Sequence, residues 1–145
     1  MKKKAYALVA SIMILVVFIS STIFAGNDNA GFSFQIQPFQ LNIHSTERYR
    51  STTNIYNTWK VNLVYSGEGS GTYTRFWLEE YPKDNNVSPT LDVKQGSGAH
   101  YYYAYSSASQ TDVWLTAENN NFGNTTYQVS GYWDEETTLD WRYDF

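Results

Sequence analysis

The sequence predicts an all-β fold: an antiparallel β-sandwich of about seven to eight short strands, preceded by an N-terminal signal helix. Three observations carry this. Apolar and polar residues alternate with period two through most of the chain beyond residue 30, which turns one face of each segment to a core and the other to water. No stretch keeps the spacing of an amphipathic helix for three turns. Clusters of Gly, Asn, Ser and Pro break the alternation roughly every 8–15 residues, the rhythm of a sandwich or barrel.

The leader comes first. Lys2, Lys3 and Lys4 precede an apolar run from Ala5 to about Ile19, and Phe24-Ala25-Gly26 ends it. A positive start, an apolar middle and a small residue before the cut make a secretory signal, with the lysines held on the cytoplasmic side. Cleavage between Ala25 and Gly26 divides the chain into a signal peptide, 1–25, and a secreted β-sandwich domain, 26–145. The run to Ala25 is also long enough to cross ~30 Å of hydrocarbon, so a membrane anchor is the competing outcome. The bulk of Ile23 weakens the cut, but Gly26-Asn27-Asp28-Asn29 brings no basic stop-transfer cluster, which favours cleavage.

In the remaining chain, Phe32, Phe34 and Ile36 alternate in one phase and Phe39, Leu41 and Ile43 in the other. The flip at Gln37-Pro38 predicts a bulged edge strand, because proline cannot donate to a ladder. Ser45 to Asn54 is polar and predicts a loop. Trp59, Val61, Leu63 and Tyr65 predict a half-buried strand. The flexible Gly67-Glu68-Gly69-Ser70-Gly71 turn then returns Tyr73 to Tyr81 as the second arm of a hairpin. On that arm Phe76 and Leu78 share one face, and Tyr73, Arg75 and Trp77 the other. Pro82 to Pro89 predicts a polar loop, followed by a short strand with Leu91 and Val93. Tyr101 to Tyr105 leads to a turn at Ser106 to Gln110, and Val113, Leu115 and Ala117 predict a strand with one wet face. Asn119 to Asn124 is turn chemistry, Tyr127 to Trp133 alternates again, and Leu139, Trp141, Tyr143 and Phe145 extend period two to the last residue.

With no cysteine, disulfides, thiolate metal sites and lipid attachment at cysteine are excluded. Removal of the leader leaves seven basic against fourteen acidic residues, a net charge of −7. Such a product is a poor ligand for nucleic acid or anionic membranes, and the expected membrane contact is through the leader alone.

Catalytic chemistry is hard to find. His44 and His100 stand beside turns or strand ends without an HExxH-type partner and read as solvated side chains; no serine sits in a G-x-S-x-G elbow. Glu79 and Glu80 are adjacent on a strand, so they point to opposite faces and cannot share a substrate. The expectation is a protein that is not an enzyme, with no catalytic residues, no cofactor and no metal. Asp134, Glu135 and Glu136, with Asp140 and Asp144 nearby, offer oxygen ligands to Ca²⁺. Their spacing matches no EF-hand, and like charges in a cluster read first as a solvated face.

Aromatic residues make up 18% of the chain, and thirteen of them are tyrosines. Tyr73 and Trp77 form one row and Tyr101, Tyr103 and Tyr105 another; exposed, these rows would stack sugar rings or anchor a protein partner. Beside this stands the plainer reading of amphipathic strands around a core.

A glycine–serine turn into Ala-His-Tyr-Tyr-Tyr-Ala-Tyr-Ser-Ser-Ala-Ser (99–109), and a strand ending in Ala117-Glu118-Asn119-Asn120-Asn121, resemble an uncharacterised family of small secreted proteins of bacilli. More distantly they are similar to lactococcin-type bacteriocins, and the stretch concerned is about residues 96–133. The resemblance implies a secreted, non-enzymatic β-sandwich acting at the envelope of neighbouring cells. Its expected partner is a cell-envelope component or a glycan, with a stand-alone carbohydrate-binding module as the alternative.

Overall fold

The computed structural model describes residues 28–142; the signal helix and cleavage point expected over 1–26, and Tyr143 to Phe145, lie outside the described residues. Two antiparallel sheets face each other. The first runs in the order β1 (Ala30–Ile36), β10 (Tyr127–Asp134), β4 (Trp59–Ser66), β8 (Ala99–Tyr102). In the second, β9 (Thr111–Asn119) pairs with β5 (Tyr73–Glu80). The short strands β2 (Ile43–His44) and β3 (Arg48–Arg50) share the outer edge of β9, and β6 (Asn85–Asn86) and β7 (Leu91–Lys94) share that of β5. Each sheet is thus four ribbons wide, and the all-β antiparallel class is the one the alternation predicts.

Period two places the core. Phe32, Phe34 and Ile36 from β1 meet Trp59, Val61, Leu63, Val129 and Trp133 on the inner face of the first sheet. Phe76, Leu78, Val93, Val113, Leu115 and Ala117 oppose them from the second. Burying each such side chain contributes roughly 1.5–3 kcal/mol.

Four expectations fail, one for a local reason and three because the partner is distant in sequence. Phe39 to Leu41 is not a strand: Pro38 starts a 3₁₀ turn in which Phe39 and Gln40 take positive φ, and Phe39 leaves the core to pack on Phe122. Within the polar stretch Ser45–Asn54, β3 pairs with β9 and buries Arg50. The β4–β5 hairpin does not exist, because Gly67–Thr72 carries the chain across from one sheet to the other. Leu139 to Trp141 forms no strand, only an isolated bridge between Asn57 and Asp140.

Tyr65 is a subtler miss. Ser130 pairs with Tyr65 but Gly131 pairs with Leu63, so β4 carries Val64 as an extra residue. The bulge flips the phase: Val64 and Tyr65 are each 52% exposed, and Ser66 is buried in place of Tyr65.

The acidic run after β10 is not a solvated face. Asp134, Glu135 and Glu136 are all buried. Arg48 pairs with both Glu135 and Asp28, and Lys60 lies 3.8 Å from Asp134. Glu136 accepts from the Ser51 hydroxyl and the Thr52 N–H, each at 2.6 Å. Arg50 donates to the Glu135 and Asn57 carbonyls; burial lowers its guanidinium to about 10, which leaves it charged at neutral pH. These contacts rivet the loop after β3 to the end of β10.

One group in the seam is set against folding at high pH. Burial, with Asp28 and Glu135 adding to it, pushes the Asp134 carboxyl up to about 7 against the weaker pull of Lys60. The folded protein therefore holds a proton that the unfolded chain releases near the ordinary value of ~3.9. Asp134 contributes stability that is full below that value and is lost as pH rises towards 7. Thermal unfolding between pH 5 and 8 should show a falling melting temperature, with a flatter slope in Asp134→Asn. Equal slopes in the two proteins would remove Asp134 as the cause.

Candidate binding surface

β8 is an edge strand held on one side by β4, with Trp59 opposite Tyr102 and Lys60 opposite Tyr101. Beyond Tyr102 the chain leaves the sheet, and the Trp59 indole N–H fixes that departure by donating to the Tyr103 carbonyl at 3.2 Å. From the far end of the chain, the Asn57–Asp140 bridge and a Trp141 N–H bond to the Tyr56 carbonyl bring Trp141 alongside.

The result is an aromatic groove lined by Tyr101, Tyr102, Tyr103 and Trp141. The Tyr103 ring lies 5.6 Å from Trp141, 4.9 Å from Tyr102 and 6.4 Å from Tyr105, all tilted or edge-on. Tyr56 packs 6.1 Å from Trp141, and the Arg142 guanidinium sits 3.4 Å above its ring. Arg142 also bonds Asp140 through two nitrogens and holds that carboxyl below the usual carboxylate range. The walls are mostly apolar aromatic rings, each tyrosine carrying a phenol hydroxyl, and the Arg142–Asp140 ion pair flanks Trp141 in the chain. That combination grips a ligand with both apolar faces and polar edges.

The five aromatic residues singled out in the sequence do not share one surface. Tyr101 and Tyr103 line the groove and Tyr105 packs beside it on Tyr103, although β8 ends at Tyr102, so their gathering owes nothing to strand period beyond that point. Tyr73 is 42% exposed on β5, in the opposite sheet. Trp77 is only 4% exposed and donates its indole N–H to Glu79, so it offers no platform. Tyr56, Tyr102 and Trp141 were missed. No local pattern announces Trp141, because a bridge closing across the chain from Asn57 brings it in.

The outer face of the second sheet holds a different arrangement. His44 is not a solvated side chain: its Nε2 lies 2.7 Å from Glu79 Oε2, and its ring stacks on Trp114 at 4.5 Å. Tyr81 meets Trp114 edge-on at 4.8 Å. Glu80 turns away to Lys83, 2.7 Å distant, and Asn85, so the two adjacent glutamates have separate partners. His100 bonds the Ser97 hydroxyl at 2.7 Å.

Fold and surface together define a small all-β sandwich with an aromatic groove along one sheet edge. The chain belongs to the family described as "Protein of unknown function (DUF2712)", whose model matches residues 19–137. No curated protein and no solved structure matches it.

Proposed function

We propose that this protein is exported and acts without catalysis, binding a glycan of the bacterial cell envelope in the aromatic groove. The groove is the observation that carries the reading: Tyr101, Tyr103 and Trp141, none of them part of the core cluster, are gathered at a sheet edge around Tyr102, which packs against the core. Flat rings stack on the C–H faces of sugars, while phenol hydroxyls meet sugar hydroxyls. The leader supports export, and the charge of −7 over residues 26–145 favours a neutral glycan over an anionic polymer.

The test uses the full chain expressed in a Gram-positive host, recovered from the medium and titrated onto purified cell-wall glycan. Trp141→Ala and Tyr103→Ala should each weaken binding about tenfold, equivalent to ~1.4 kcal/mol. Their melting temperatures should stay close to wild type, because neither ring belongs to the buried core. Unchanged affinity in both variants, or no affinity of the wild type for any envelope glycan, overturns the reading.

A further inference from the structure

The second sheet carries on its outer face a cluster that the groove does not explain. Cross-strand pairing puts His44, Thr116 and Trp77 in one row, and Trp114 and Glu79 in the next, all on the same side. Although this side faces away from the core, Glu79 is only 3% exposed. Its Oε1 accepts from the Trp77 indole N–H at 2.7 Å and from the Asn42 amide at 3.5 Å. Its Oε2 is thereby aimed at His44 Nε2, 2.7 Å away. Asp84, on the turn between β5 and β6, brings a second carboxylate: one donor atom each from His44, Glu79 and Asp84 lies within 4.8 Å of the other two. Between His44 and Trp77, the fully buried Thr116 hydroxyl has no hydrogen-bond partner.

We propose that His44, Glu79 and Asp84 form a binding site for a divalent transition-metal ion of the zinc type. One imidazole nitrogen and two carboxylate oxygens, with no sulfur, make a donor set suited to such an ion. Metal-bound carboxylates are commonly held through their other oxygen, and Trp77 and Asn42 hold Oε1 in that way. Ligand bonds of ~2.0–2.2 Å need donor atoms only slightly further apart than the present His44–Glu79 contact. A cation would also offset two carboxylates beside a face where desolvation of charge is costly. Three protein ligands leave a fourth position open, and the His44 ring is held in place by stacking on Trp114, which Tyr81 meets edge-on. The exposed Asp84 supplies the entry side.

The experiment is calorimetric titration of the metal-stripped protein with Zn²⁺ at neutral pH, alongside melting temperatures with and without the ion. The expected result is one equivalent bound with a raised melting temperature. His44→Gln, Glu79→Gln and Asp84→Asn should each weaken binding at least tenfold. Because Glu79→Gln disturbs a buried group, the exposed Asp84→Asn decides the question should the former fail to fold. Absence of stoichiometric zinc binding by the wild type overturns the proposal. So does binding that survives in His44→Gln and Asp84→Asn, or that is lost instead in Glu135→Gln, which would move the ion to the Asp28, Asp134 and Glu135 cluster.

Discussion

Trp59→Ala should destabilise the domain by about 3–5 kcal/mol, the range for truncating a fully buried large aromatic. Trp59 is wholly inaccessible, and its neighbours sit in paired strands that cannot collapse into the space it leaves. A melting temperature lower by on the order of 10–20 °C is the expected readout. The same substitution removes the indole N–H that fixes the Tyr103 carbonyl, so core and groove are linked at one residue. Trp59→Phe separates the two effects. It refills most of the volume and should recover most of the stability, but glycan affinity should stay reduced because Tyr103 is no longer tethered. A melting temperature for Trp59→Ala equal to wild type would sink the core assignment.

Gly131→Ala should be nearly as damaging, for a different reason. A Cβ at that position would stand 1.9 Å from the Asn62 carbonyl oxygen and 3.0 Å from the Phe32 ring. Both neighbours belong to strands paired with β10, so the contact can be relieved only by moving backbone in the middle of the first sheet. Overpacking costs ~1–3 kcal/mol where side chains can shift, and a backbone oxygen this close puts the change at or above the top of that range. The close approach occurs at the bulge, where β4 fits an extra residue and its backbone leans onto Gly131. Gly31→Ala is the control: its Cβ would meet nothing nearer than 4.0 Å, and it should unfold within a degree or two of wild type. Equal melting temperatures for the two alanine variants would show that the bulge is looser than its geometry.

Much of the sandwich was legible because strand period is a local property. Phe32, Phe34 and Ile36, or Val113, Leu115 and Ala117, declare an inner face from spacing alone, and both triplets are buried. The failures occur where a residue's partner is remote. The polar stretch containing Arg48 and Arg50 reads as loop until Glu135, Glu136 and Asn57 are placed against it. The two arms around Gly67–Gly71 read as a hairpin because adjacency in sequence is the default for pairing, yet β4 binds β10 and β8 instead.

The candidate sites divide in the same way. Tyr101, Tyr103 and Tyr105 could be picked out from their density, whereas Trp141 and Tyr56 join them through the Asn57–Asp140 bridge and the backbone bond beside it. His44 reads as solvated because no partner stands near it in sequence, whereas its partner Glu79 lies thirty-five positions away, on the far side of β9.

By itself the sequence determined the all-β class, the inner faces of most strands, the absence of sulfur chemistry and the acidic balance. Each of these depends on composition or on neighbours two residues apart. Only the tertiary structure decided which sheet each strand enters, that the acidic run is an internal seam, and which aromatic and polar side chains meet. Those outcomes depend on pairings between distant segments, and a bulge of one residue is enough to exchange the inside for the outside.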